Sequence, residues 1–201
     1  MSIATRQLGL ADHGHPVALE EFESAEFQEG YKYEIIDGRL YVAPMPNLPE
    51  DQNVAWLYEK LVAYKLKHPK VIRYLSQKAR VFVPGREELT CPEPDISVYR
   101  VFSSDPPPRE QRWQNYSPIL VIEVLYDADP YKDLVRNVEL YLQVPSIREY
   151  WIVDARLDPN EPTLIVHRRR GSKWVRSEYN YGETYETKLL PGLRLLIDPH
   201  N

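Results

Sequence analysis

The run Ile119-Leu-Val-Ile-Glu-Val-Leu125 limits what this chain can fold into more than any other segment. It does not alternate apolar with polar residues, so a strand made from it must be covered on both faces, as in the middle of a layered α/β sheet. Its one polar residue, Glu123, stands where burial should exclude it. A buried carboxylate is expensive unless it is paired, protonated or bound to a cation. Asp95 opens an earlier segment, Asp95–Val101, that also reads as a strand. Two acids on neighbouring strands can share one divalent metal, with backbone carbonyl and water oxygens completing the octahedral shell typical of magnesium. Such an ion polarises a phosphodiester and helps to deprotonate a water nucleophile, while a nearby lysine orients that water or offsets charge in the transition state.

The surrounding sequence supplies the layers. Leu134, Val138 and Tyr141, with Val135 and Leu142 beside them, predict a helix that Pro145 closes. Glu149–Asp154 follows as another buried strand, and this strand–helix–strand order argues for a parallel crossover. Val54, Leu57, Tyr58, Leu61 and Tyr64 recur at helical spacing behind Glu50 and Asp51, acids suited to a helix amino terminus. Tyr31–Ala43 reads as a β-hairpin turning at Asp37-Gly38. Val17–Phe27 is expected to form a short amphipathic helix and Tyr74–Val83 a strand. Thr163–Arg168, Trp174–Tyr179 and Leu193–Ile197 are expected as a closing antiparallel set. Residues 1–16 carry Gly, His and Pro without periodicity and read as a flexible leader. That leaves 17–201 as a single domain, since 201 residues suit one core better than two.

Composition narrows the function. The formal charge of −5 gives no global positive field to draw in a polyanion. The run His167-Arg-Arg-Arg-Gly-Ser-Lys173, beside Trp174, is either a solvated turn or a local patch for phosphates. The single cysteine, Cys91, has no internal disulfide partner and the opening residues hold no apolar signal-like stretch, so a cytoplasmic location is expected. No apolar run approaches the roughly 18 residues of a membrane span. The five histidines lack zinc-ligand spacing. Neither a Gly-rich phosphate loop nor a Gly-x-Ser-x-Gly elbow is present, which argues against a nucleoside triphosphatase or an ordinary esterase. The fifteen tyrosines read mainly as packing residues, with base stacking as the alternative.

Pro94-Asp95-Ile96, Ile122-Glu123-Val124-Leu125, the downstream Asp133, the tyrosine-bearing helix and Glu149-Tyr-Trp-Ile-Val-Asp154 together resemble the Uma family of the PD-(D/E)XK nuclease superfamily. Tyr33-Glu-Ile-Ile-Asp-Gly38 is similar to that family's amino-terminal hairpin, so the resemblance spans residues 20–155. It implies a restriction-endonuclease-like α/β fold, a mixed β-sheet flanked by helices. It also implies a site built from Glu34, Asp95 and Glu123, and a homodimer. Asp95 and Glu123 are then the expected ligands of Mg2+ or Mn2+, and DNA or RNA the expected substrate. The superfamily lysine normally stands two residues after the second acid, where this chain has Leu125. In many family members that lysine sits on the next helix, and alignment through Tyr141 and Pro145-Ser146 puts Asn137 at its place. Lys132 or Arg136 could supply the charge instead, and Lys132 is the expected one. Gln52 stands where related sequences often carry a histidine.

The bland alternatives are specific. Asp95 and Glu123 could be structural acceptors for loop amides or Arg80, and Glu34 could pair across its hairpin with Arg39. Lys132 and Arg136 could be solvated charges at a helix start. Two functional readings follow: a metal-dependent nuclease using Glu34, Asp95, Glu123 and Lys132, or a non-catalytic nucleic-acid-binding or interaction protein on the same fold.

Overall fold

The computed structural model describes residues 6–45, 47–102, 107–126 and 130–201. Gln7–Leu8 (β1) pairs in parallel with Glu26–Phe27 (β2), bracketing the short helix Leu19–Ser24 (α1). Tyr31–Ile36 (β3) and Arg39–Pro44 (β4) form the expected hairpin. Its turn residues Asp37 and Gly38 have φ of 49° and 70°, the left-handed pair that lets a two-residue loop follow the twist of its strands. The expected leader is packed from Arg6 onward. Leu8 and Val17 are buried with Phe22 against the hairpin residues Tyr33, Ile35, Leu40 and Val42. Arg6 pairs with Asp12 and Glu21, and the His13 ring bonds the backbone of Val42. The physical reason is that one face of the hairpin, Tyr33, Ile35, Leu40 and Val42, is apolar, and this segment covers it.

Leu48–Lys67 (α2) begins at Asn47, whose side chain accepts the Glu50 N–H at 3.2 Å. Its acids Glu50 and Asp51 lie in the first turn and Lys65 and Lys67 in the last, as the helix dipole favours. Tyr74–Ser76 (β5), Ile96–Tyr99 (β6), Leu120–Leu125 (β7), Glu149–Asp154 (β8), Thr163–Arg170 (β9) and Lys173–Tyr179 (β10) make one six-stranded sheet in the order β10-β9-β8-β7-β6-β5. β7 and β8 are parallel, joined through the helix Asn137–Leu142 (α3), and all other neighbours are antiparallel. The expected strand over 74–83 is cut to β5 because residues beyond it leave the sheet. Val81 and Val83 donate instead to the carbonyls of Pro92 and Thr90. Thr184–Glu186 (β11) and Arg194–Leu196 (β12) pair with each other rather than extending the main sheet.

β7 is buried along its whole length, as its composition requires. Leu120, Ile122 and Val124 pack on one face with Leu57 and Leu61 of α2, and Val121 and Leu125 on the other with Leu140 and Tyr141 of α3. Glu123 shares the α3 face. The basic run after His167 is largely committed to structure. Arg168 pairs with Glu149, and the Arg169 guanidinium caps the end of α3 by donating to the carbonyls of Tyr141, Leu142 and Val144 at 2.9–3.0 Å. These two arginines therefore belong to the sheet and helix end, not to a free phosphate patch.

His167 is buried, stacks on Tyr150 and has no partner for Nδ1, so burial pulls its pKa down to about 4. The unfolded chain takes up a proton near pH 6.5 that the fold refuses, so stability falls as pH drops from 6.5 towards 4. His167→Phe, which keeps the stack, should remove about 2 kcal/mol of that decline, allowing for partial solvent screening. Urea unfolding at pH 7 and pH 5 reads it directly; equal pH dependence in both proteins refutes it.

Candidate functional site

The register Ile96↔Ile122 sets Asp95, the residue before β6, beside Glu123 at the end of the β6–β7 ladder. The Val124 N–H donates to Asp95 Oδ2 at 2.7 Å, and the Lys32 ammonium pairs with Oδ1. Strand alternation explains Lys32: Tyr33 and Ile35 turn into the hairpin's own core, so Lys32 and Glu34 turn together towards the acids. Glu34 Oε1 accepts the Glu93 N–H at 3.2 Å and has Lys132 Nζ at 3.4 Å, while Oε2 takes Arg136 at 2.8 Å. Glu123, 1% exposed, accepts from Asn137 Nδ2 and Tyr141 Oη, both at 2.9 Å and both through Oε1. Its Oε2 has Lys132 Nζ at 4.0 Å.

A wide turn makes this convergence possible. Lys132–Arg136 is π-helical, and the Asn137 N–H reaches back to the Lys132 carbonyl. In an α-helix, positions five apart diverge by about 140°. The extra residue in the π turn aligns them instead, so Lys132 and Asn137 meet the same carboxylate. Asp133, buried, accepts from Asn137 at 3.1 Å, and the Tyr150 hydroxyl donates to the Asp133 carbonyl at 3.0 Å.

The electrostatics follow from this crowding. Burial pushes Glu123 well above the usual carboxylate range; Lys132 opposes the shift, and Asp133, Asp95 and Glu34 reinforce it. Burial also lifts Asp133, to about 6. Burial acts on Glu34 too, but Lys132 and Arg136 outweigh it and hold that carboxylate low. For Lys132 burial alone would lower the pKa; Glu34, Glu123 and Asp133 overcome it and raise it well above the ordinary lysine value.

Two clefts meet here. One, of about 340 Å3, is lined among the described residues by four acids, Glu50, Asp95, Glu123 and Asp133, against two lysines, Lys32 and Lys132. The other, of about 360 Å3, is lined among the described residues by Lys32, Lys132 and Arg136 against one acid, Glu34, with Tyr41, Tyr131 and His13. Lys32, Ala43 and Lys132 form the shared wall.

All four residues expected at a site, Glu34, Asp95, Glu123 and Lys132, are thus brought together. Arg136 joins them through Glu34, and Asn137 holds Glu123 by a neutral amide. The arginines weighed as structural partners go elsewhere, Arg80 to Glu93 at 3.6 Å and over Phe22, and Arg39 to the Gly14 carbonyl at 2.8 Å, while Asp95 does accept a backbone amide, that of Val124. Gln52 lines a different groove, with Trp56, Pro159 and His200, and does not approach the acids. Lys32 and Tyr141 are the participants that motif reading missed. The signal for Lys32 was its two-residue spacing from Glu34 within a strand. Among the described residues, no three His, Cys, Asp or Glu side chains converge as a closed metal cage.

Residues 19–198 match the family model Uma2, described as "Putative restriction endonuclease". The chain belongs to the Uma2 family. A crystal structure of a "putative nuclease belonging to DUF820" from Anabaena variabilis ATCC 29413 matches with a TM-score of 0.65 and 20% identity, over 90% of this chain and 96% of that one. The restriction-endonuclease-like fold is therefore shared. No curated protein matches. In this Uma2 chain the position two after Glu123 is filled by the buried Leu125, so any ammonium at the acids comes from outside β7.

The two buried glutamates should respond oppositely to loss of charge. Glu34→Gln leaves Lys132 and Arg136 without their main counter-charge and should destabilise the protein by about 3 kcal/mol. Glu123→Gln relieves a carboxylate that burial already disfavours and should be neutral or stabilising. Urea unfolding at pH 8 with a chelator checks both signs; destabilisation of equal size in the two variants would sink the electrostatic account.

Proposed function

We propose that this chain is a divalent-metal-dependent nuclease that hydrolyses phosphodiester bonds in nucleic acid, with Asp95 and Glu123 as the ligands of Mg2+ or Mn2+. The observation that carries this reading is the pairing of those two carboxylates on the wall of an acidic cleft that shares Lys32 and Lys132 with a cationic one. The donor set fits such an ion. Magnesium is commonly held by one or two carboxylates and keeps several waters, so two acids beside an open cleft suffice where a closed cage is not needed. Glu123, held towards its protonated form by burial, gains most from a cation that takes the proton's place.

When bound, the ion would polarise the phosphodiester and lower the pKa of water. The chain's own residues do the rest. Asn137 and Tyr141 fix Glu123 Oε1 and leave Oε2 towards the cleft side, where Lys132 stands. The Val124 N–H fixes Asp95. Lys132, protonated and tied to Glu34, supplies the positive charge that the motif lysine gives elsewhere, and Glu34 positions it. Lys32 stands as a second ammonium on the other side of Asp95. A homodimer and a cytoplasmic location complete the proposal; no helix among the described residues is long and apolar enough to cross a membrane.

One observation favours the competing reading. Lys32 already compensates Asp95, so the fold balances its acids without a metal, as a binding protein that has lost hydrolysis would. The same experiment separates the two: cleavage of labelled single-stranded and duplex DNA and RNA with Mg2+ or Mn2+. The nuclease reading expects metal-dependent products and a loss of about a hundredfold or more in Asp95→Ala and Glu123→Ala. Lys132→Met should lose a comparable factor, and Lys32→Met less. No product from any substrate by folded protein favours the binder.

A further inference from the structure

The cationic cleft carries chemistry that hydrolysis does not require. Tyr41 lies opposite Glu34 across the hairpin and Tyr131 immediately precedes Lys132, so two aromatic rings flank the cations. They are 37% and 61% exposed. Tyr41 is held in place rather than loose. The Arg136 guanidinium lies 5.5 Å from its ring centre, and the His13 ring meets it edge-on at 5.3 Å.

We propose that this cleft is a binding subsite for single-stranded nucleic acid, in which an unpaired base stacks on Tyr41 and Tyr131 while the adjoining phosphates lie along Lys32, Lys132 and Arg136. Three features favour that occupant. Aromatic faces beside a cationic groove are how unpaired strands are held without reading sequence, because every base has a π-face. A base stacked inside a duplex cannot present its face to these rings, so the cleft discriminates by strandedness. Lys32 and Lys132 line both clefts, so a strand held along them lies beside the acidic cleft, with its next phosphate on the side of Asp95 and Glu123. This local charge answers how a chain of formal charge −5 meets a polyanion. The assignment of the scissile phosphate rests on the nuclease reading; the binding does not.

The test is fluorescence anisotropy with short labelled single-stranded DNA, single-stranded RNA and the matching duplexes, in chelator so that no hydrolysis occurs. Single strands of either type should bind at least about tenfold more tightly than duplex. Tyr41→Ala and Tyr131→Ala should each weaken binding by about tenfold, within the range for loss of one base stack. Tyr41→Phe, which keeps the ring, should stay within about twofold. The slope of affinity against salt should be unchanged in all three, because no charge is removed. Duplex bound as tightly as single strand, or tyrosine variants that bind like wild type, would overturn the inference. Tyrosine-dependent single-strand binding without cleavage under any metal supports it and removes only the nuclease reading. Cleavage with binding that ignores both tyrosines leaves the nuclease reading standing and overturns this one.

Discussion

The carboxylate of Glu123, fixed in the central strand with almost no access to water, forces elements far apart in sequence to meet. It needs donors, and β7 offers none, since its neighbours are apolar and its backbone serves the ladders to β6 and β8. α3 delivers Asn137 and Tyr141 to one oxygen. The π turn delivers Lys132 towards the other, and Lys132 in turn draws in Glu34 from the hairpin. The position of the hairpin against the sheet is thereby coupled to the charge of one residue in the core.

Glu149 shows that burial of an acid does not by itself make a site. It too is buried in a central strand, but Trp151, Tyr185, Thr187 and Arg168 donate to its two oxygens and leave neither for a ligand. It lines none of the clefts described above. Glu123 differs in having one oxygen saturated and one beside a cleft shared with three other acids. Incomplete satisfaction next to open space separates the two, and it can be read only with both sets of partners in view.

Much of this was legible from local pattern. An uninterrupted apolar run must be covered on both faces, Asp-Gly between short strands must turn, and acids ahead of a 3–4 periodic stripe must start a helix; β7, the hairpin and α2 follow. Asp95 and Glu123 were legible because adjacent strands bring an acid before one and an acid within the other to the same place. Lys32 was not, because a hairpin's sequence says which residues alternate and not which face meets the rest of the protein. The packing of residues 6–16 was hidden because Leu8 covers an apolar face that exists only once the hairpin has formed. The run after His167 reads as either a solvated turn or a phosphate patch, since nothing local reveals that Arg168 answers Glu149 and Arg169 the exposed carbonyls at the end of α3.

The replacement of the motif lysine by Leu125 looks severe on the strand and is much milder in space. Leu125 packs on the α3 side of the core and also lines the acidic cleft, so the charge missing from the strand is missing from the edge of the site itself. What a phosphodiester needs is positive charge near the acids, whichever backbone supplies it. Here the π turn and the hairpin each bring a lysine to the wall between the acidic and cationic clefts, one tied to Glu34 and the other to Asp95. Of the two, only Lys32 is tied to a proposed metal ligand, so a cation that takes over Asp95 frees that charge for a phosphate, while Lys132 stays positioned by Glu34. On this arrangement metal and polyanion should assist each other's binding, because each relieves the internal pairing that holds back the other.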